Sequence, residues 1–175
     1  SIFILLVMLL APSFVMAKEW KLDASHSGIG FGVKHIFSTV WGNFSEYEGM
    51  IRFDPDRLDQ SRFDFTVKVE SINTGNTKRD NHLRSNDFFS ADQFPEMRFS
   101  SSSITHKSGS DYVVEGIMQI KETEKVMQIP FTFHGTADSP FNKGQVVAWF
   151  DTRFAINRLE FGEGTGKFKK LGVVD

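Results

Sequence analysis

Apolar and polar residues alternate along most of the chain, and alternation at period two marks strands that bury one face. The stretch SRFDFTVKVE, Ser61 to Glu70, shows it most plainly. Phe63, Phe65, Val67 and Val69 point one way, and Arg62, Asp64, Thr66, Lys68 and Glu70 point the other. Ile29, Phe31 and Val33 alternate with glycines. Further strands are expected at Glu48–Phe53, Met97–Thr105, Tyr112–Ile120, Val126–Gly135 and Gln145–Ile156. In the last, Val146, Ala148, Phe150, Phe154 and Ile156 should share a face. Turn residues separate these runs at 54–56 (DPD), 107–111 (KSGSD) and 138–144 (DSPFNKG).

Helix is expected at one place, Thr77 to Asn86, where β-branched residues are absent after Thr77. A single turn is expected at Ser90–Gln93, ahead of Pro95. So many half-buried strands in one domain imply an all-β fold, an antiparallel barrel or a sandwich. The pattern leaves the two open. Inward phenylalanines could line a barrel lumen that holds one small ligand, or fill a sandwich core. Composition sharpens the question: the 175 residues include 19 Phe against three Trp and two Tyr.

The N-terminus departs from alternation. Ile2 to Leu10 is an unbroken apolar run, and Ser1 to Ala17 carries no charge. With Pro12 and Val15-Met16-Ala17 after it, it reads as a secretory signal peptide, residues 1–17, whose basic start is missing. The folded domain is then 18–175, and the expected location is the periplasm. There are no cysteines, so thiol chemistry and disulfides are excluded and stability must come from packing. A net charge of −2 argues against a nucleic-acid partner.

Motifs for chemistry are sparse. None of the five histidines pairs with another at metal-ligand spacing, so no metal is expected. Gly162-Glu163-Gly164-Thr165-Gly166 lacks the Lys-Ser/Thr and helix of a phosphate loop and reads as a turn. The densest cluster of capable groups is KRDNHLRSNDFF, Lys78 to Phe89. It reads as a short helix across a barrel opening, with Leu83, Phe88 and Phe89 packed inward and Arg79 and Asp80 tying down strand ends. It reads also, and compatibly, as a polar lid that meets a ligand's head group or a bridging water, with the structural role favoured because buried Arg–Asp pairs often serve architecture.

The same cluster carries a resemblance. Trp20 to His35 (WKLDASHSGIGFGVKH), Gly42-Asn43-Phe44, Ile72 to Ile104 and Arg158-Leu159-Glu160-Phe161-Gly162 are similar to the YceI-like family of periplasmic proteins. The central segment matches the family's Thr-x4-Arg-Asp-x-His-Leu-Arg-Ser-x-Asp-Phe-Phe pattern. The resemblance implies an extended lipocalin-like antiparallel barrel around a long apolar channel. It implies a bound polyisoprenoid or isoprenoid-quinone chain, held without a covalent cofactor, and no established catalysis.

On that view the channel is lined by Phe31, Phe53, Phe63, Phe65, Val67, Phe88, Phe89, Phe99, Phe131, Phe133, Phe150 and Phe154. His26, Arg79, Asp80 and His82 form a polar lid or a structural latch. A transient membrane contact and a monomer or homodimer are the expected associations. Two departures from the family are visible. Lys121 to Lys125 lacks the usual turn glycine, so a wider hairpin is expected there. The chain also stops before a final aliphatic strand, which suggests a clipped C-terminus. The rival reading is an enzyme acting on an isoprenoid or other apolar substrate through His26, Arg79, Asp80 and His82. A third is a sheet-edge interaction module whose core is filled with Phe.

Overall fold

The computed structural model describes residues 17–35 and 37–164, with the side chain of His35 excepted. The expected signal peptide, apart from Ala17, and the chain end from 165 onward lie outside the described residues.

Among the described residues there are ten strands: β1 (Glu19–Lys21), β2 (Ile29–His35), β3 (Ser38–Phe44), β4 (Tyr47–Arg52), β5 (Arg62–Lys68), β6 (Ile72–Asn73), β7 (Glu96–Ser108), β8 (Asp111–Ile120), β9 (Thr123–Asp138) and β10 (Val146–Asp151). One helix, α1 (Thr77–Arg84), interrupts them. Seven strands form a sheet in the order β1-β4-β5-β7-β8-β9-β10, and β2-β3-β6 form a second. The described pairings are antiparallel.

The large sheet curls into a nearly closed barrel. Phe53 directly follows β4, and Phe150 lies on β10, five strands further along the sheet. In a flat sheet they would stand about 24 Å apart at 4.8 Å per strand. Their ring centroids are 5.4 Å apart. Only a sheet rolled on itself brings these rings together.

Glycines let the rings lie down. The ring of Phe31 sits across from Gly42 on β3, and that of Phe65 across from Gly49 on β4. A Cβ at Gly42 would come within 2.5 Å of the Phe31 ring, and one at Gly49 within 2.6 Å of Phe65. Part of the Phe excess therefore covers glycine backbone, which stiffens a strand that glycine alone would weaken.

Bulges change the faces that simple alternation implies. On β7 the pairing with β8 skips Ser102, between Ser101↔Gly116 and Ser103↔Glu115. Phe99 and Ile104 are thus both buried although five positions apart. On β9 the pairing with β10 skips His134, and the next residue, Gly135, takes φ +99°.

Three expectations are corrected. The strand expected to run to Ile156 ends at Asp151, because Pro130 on β9 faces β10 and has no N–H to give. The Thr152 hydroxyl instead donates to the Pro130 carbonyl at 2.6 Å. Phe154 and Ile156 therefore lie beyond the strand, each 38% exposed, and share no inward face with Phe150. The β8–β9 hairpin is tight rather than wide: Ile120 pairs with Thr123, leaving Lys121 and Glu122 as the loop. Lys121 takes φ +54° without being glycine. Its ammonium donates to the Gly162 carbonyl at 2.9 Å, which offsets the cost of the left-handed backbone. Helix α1 ends at Arg84, two residues early, where the extended backbone of Ser85 stops it.

Candidate ligand site

Two apolar clusters fill the barrel. The first joins Ile51, Phe53, Phe63, Phe99, Ile104, Tyr112, Val114, Ile129 and Phe131. Phe53 is its centre, 2% exposed, with the rings of Phe63, Tyr112, Phe131, Phe133 and Phe150 at centroid distances of 5.1 to 6.0 Å. Rings this close touch, so no hydrocarbon chain passes between them. The second cluster joins Phe44, Val67 and Ile72, with Phe31, Leu83, Phe89 and Met97 packed against it.

Between the clusters the inward face is less fully buried. Along β5, Phe63 and Val67 are buried while Phe65, between them on the same face, is only half-buried. Met118 and Met127, packed on the first cluster, and Met97, packed on the second, are likewise half-buried. Register joins these positions: Phe65 pairs with Phe99, Phe99 with Met118, and Val67 with Met97. The result is a seam lined by one ring and three thioethers. Unbranched methionine side chains reshape easily around an apolar guest.

Not every residue expected to line a channel meets this seam. Phe65 does. Phe53, Phe63, Phe99 and Phe131 are buried among other rings, with Phe133 and Phe150 packed beside them. Val67, Phe31 and Phe89 belong to the second cluster, where Phe44 stands 5.4 Å from Phe31 and 6.2 Å from Phe89. Phe88 instead packs edge-on against the His82 ring at 5.1 Å. The three methionines are not among the residues expected to line a channel. Their even spacing with neighbouring inward residues (Val114, Gly116, Met118, Ile120) was the available signal.

The polar groups are divided in the same way. Asn76 caps α1, accepting from Arg79 N at 3.1 Å. The Asp80 carboxylate, 7% exposed, accepts from the Thr74 N–H at 2.9 Å and the Thr74 hydroxyl at 2.5 Å. Arg79 donates through Nε to the Thr74 hydroxyl at 2.7 Å and through Nη2 to the Thr74 carbonyl at 2.9 Å. Arg84 donates to the Glu70 and Ile72 carbonyls at 2.9 and 2.8 Å. These bonds fasten α1 to β6 and the residues beside it. His82 pairs with Asp87 at 3.2 Å. His26 lies in the turn before β2, its side chain 74% exposed, paired with Asp23 at 2.7 Å. A shallow polar concavity of about 430 Å³ opens over Asp80, Arg84 and Thr77.

A further group was missed. Glu163 follows the turn at Arg158–Phe161 and has a side chain only 5% exposed. Neither carboxyl oxygen has a hydrogen-bond partner among the described residues, and Lys121 Nζ is 3.7 Å away. Burial pushes the Glu163 carboxyl up to about 7, against the opposing pull of Lys121. Arg158 Nη1 donates to the Glu163 carbonyl at 2.7 Å, and Lys125 pairs with Glu160 at 2.8 Å. This segment is thus pinned to the β8–β9 hairpin. In sequence it lay inside a glycine-rich stretch with the look of a plain turn.

Known proteins share this fold. The sequence profile of the YceI-like domain matches residues 20–175. A UPF0312 protein of Staphylococcus aureus is 34% identical over 158 residues, covering 89% of this chain and 88% of its own. Among solved structures, BcnA of Burkholderia cenocepacia matches with a TM-score of 0.77 at 26% identity, covering 87% of this chain and 91% of its own. The YceI protein of Campylobacter jejuni matches at 0.70 and 31% identity, covering 90% and 92%.

Proposed function

The chain belongs to the YceI-like domain family, and from that premise we propose that it is an exported, periplasmic binding protein for a polyisoprenoid or isoprenoid-quinone chain. The observation that carries the reading is the half-buried seam of Phe65, Met97, Met118 and Met127 inside a nearly closed barrel. Such a seam offers apolar contact and little polar recognition. An isoprenoid tail asks for that: each methylene it buries contributes about 0.8 kcal/mol, so a few isoprene units bind without charge pairing. The ring cluster around Phe53 closes one end, and the tail lies along the seam.

The groups that an enzyme would use do not favour catalysis. Arg79 and Asp80 are committed to Thr74, and His26 is paired with Asp23 in another turn. Ligand uptake tests the binding reading. Protein mixed with detergent-dispersed ubiquinone, passed through a sizing column and extracted with hexane should yield about one quinone per chain. The Met118→Trp/Met127→Trp variant fills the seam and should carry less than about a tenth as much, with its circular dichroism unchanged. Absence of quinone from the unmodified protein, or equal loading of the variant, contradicts the reading.

A further inference from the structure

We propose that the β2–β3 hairpin is a membrane-docking element that lays its exposed aromatic tip on an anionic lipid bilayer. The proposal rests on the lipid-binding reading above for its purpose, and on separate observations for its site. Phe37, in the turn, is 102% exposed, and Trp41 on β3 is 71% exposed. Phe37 lies in the turn of the hairpin and Trp41 four residues on, on the outward face of β3. Trp41 stands opposite Gly32, and a Cβ there would come within 2.8 Å of the indole. The indole therefore reaches over the Gly32 backbone on the outward face.

The charge along this stretch of sequence is one-sided. Between Asp23 and Glu46 the sequence contains no Asp or Glu, and its one charged residue is Lys34. Lys34 is exposed on β2, close to the tip. Exposed Phe and Trp beside a cation, with no acid near in sequence, suit the boundary between lipid headgroups and acyl chains. An exposed apolar pair elsewhere on the barrel wall is different. Ile117 and Val126 face each other on β8 and β9, with Glu115 and Glu124 two positions away on the same outward face. Anionic lipid would be repelled there.

The opposite face of the hairpin leads inward. Val33 and Val40 are half-buried, Phe31 packs on the second cluster, and Phe44 is 6% exposed within it. An apolar strip thus runs from the tip to the cluster that bounds the seam. A chain drawn from the bilayer could follow it without crossing a charged side chain.

Vesicle co-sedimentation tests the docking without any quinone. The protein should bind vesicles of phosphatidylglycerol and phosphatidylcholine, bind pure phosphatidylcholine less, and release from the former as salt rises. Phe37→Ser/Trp41→Ser should weaken the binding at least about tenfold, and Lys34→Glu should remove the preference for anionic vesicles. Both should still load quinone from detergent, because neither touches the seam. A second probe is a Trp20→Phe/Trp149→Phe variant, which leaves Trp41 as its sole tryptophan. Brominated lipid should quench its fluorescence.

Absence of vesicle binding, or equal binding by the double-serine variant, overturns the docking proposal. So does a dimer seen on sizing that the serine changes abolish while vesicles are ignored, since the patch then seats a second copy. Loss of vesicle binding with quinone uptake intact sinks the docking alone. Vesicle binding with no quinone uptake sinks the binding reading instead.

Discussion

Phe53→Ala should lower the stability of the fold by about 3–5 kcal/mol, the range for removing a buried ring and leaving a cavity. Phe53 is the ring on which the rolled sheet closes. It touches aromatic side chains from β5, β8, β9 and β10. Its backbone also serves the first strand, since its N–H donates to the Lys18 carbonyl at 2.9 Å and its carbonyl accepts from Trp20 Nε1 at 3.2 Å. Those bonds survive the substitution, so the loss belongs to packing. In a chain of this size each kcal/mol moves the melting temperature by about 2–4 °C, which puts the drop at roughly 6–20 °C. Phe37→Ala removes the same ring from a fully exposed site and should change stability by less than about 0.5 kcal/mol. Thermal melts of the two variants, side by side, check the difference. A small shift for Phe53→Ala would mean that the ring cluster does not hold the barrel closed.

Glu163→Gln should make the protein more stable than its parent at pH 8 and leave the two alike near pH 4. The Glu163 carboxyl is buried and lacks hydrogen-bond partners among the described residues, which raises its pKa in the folded state to about 7 from 4.5. The folded state therefore binds a proton more readily than the unfolded state between those values. The contribution of Glu163 to stability is greatest below about pH 4.5, falls as pH rises, and levels off above 7. A rise from 4.5 to 7 corresponds to about 3 kcal/mol across that window. Gln imitates the neutral carboxyl and removes this dependence. Lys121 at 3.7 Å, Arg158 and Glu122 are the charged neighbours that act on the carboxyl, and all remain in the variant. Urea midpoints at pH 5 and pH 8 measure the effect. Parallel pH profiles for parent and variant would show that Glu163 ionises as it does in the unfolded chain.

Much of the fold was legible because period two is a strong signal where one face is buried. The β5 alternation of Phe63, Phe65 and Val67 survives intact. Helix α1 was legible from the residues between Thr77 and Arg84, and its cap, Asn76, lies just before them. What failed was continuity. Alternation in sequence cannot announce a bulge, so the flips at Ser102 and His134 were hidden. Pro130 was visible, but which neighbour lost its N–H depends on sheet order.

The site was less legible for a related reason. Phe is conspicuous, and the sequence drew the eye to rings that turned out to pack on one another. Whether an inward side chain fills a core or borders a gap depends on what faces it across the barrel. That is why half-buried Phe65 could not be told from fully buried Phe63, two residues away. Glu163 was hidden likewise. Its surroundings come from Lys121, 42 positions earlier, held in an unusual backbone conformation at a hairpin loop. A carboxylate beside glycines looks solvated until the fold buries it.

The most direct test of a lipid-binding barrel is the mass of the protein as its own cell makes it. Protein purified from its native host without added lipid and sprayed under native conditions should appear with an added mass. Solvent extraction should remove that mass and yield an isoprenoid lipid by its fragmentation. A native spectrum at the bare polypeptide mass, with nothing extractable and no uptake of added quinone, would contradict the account.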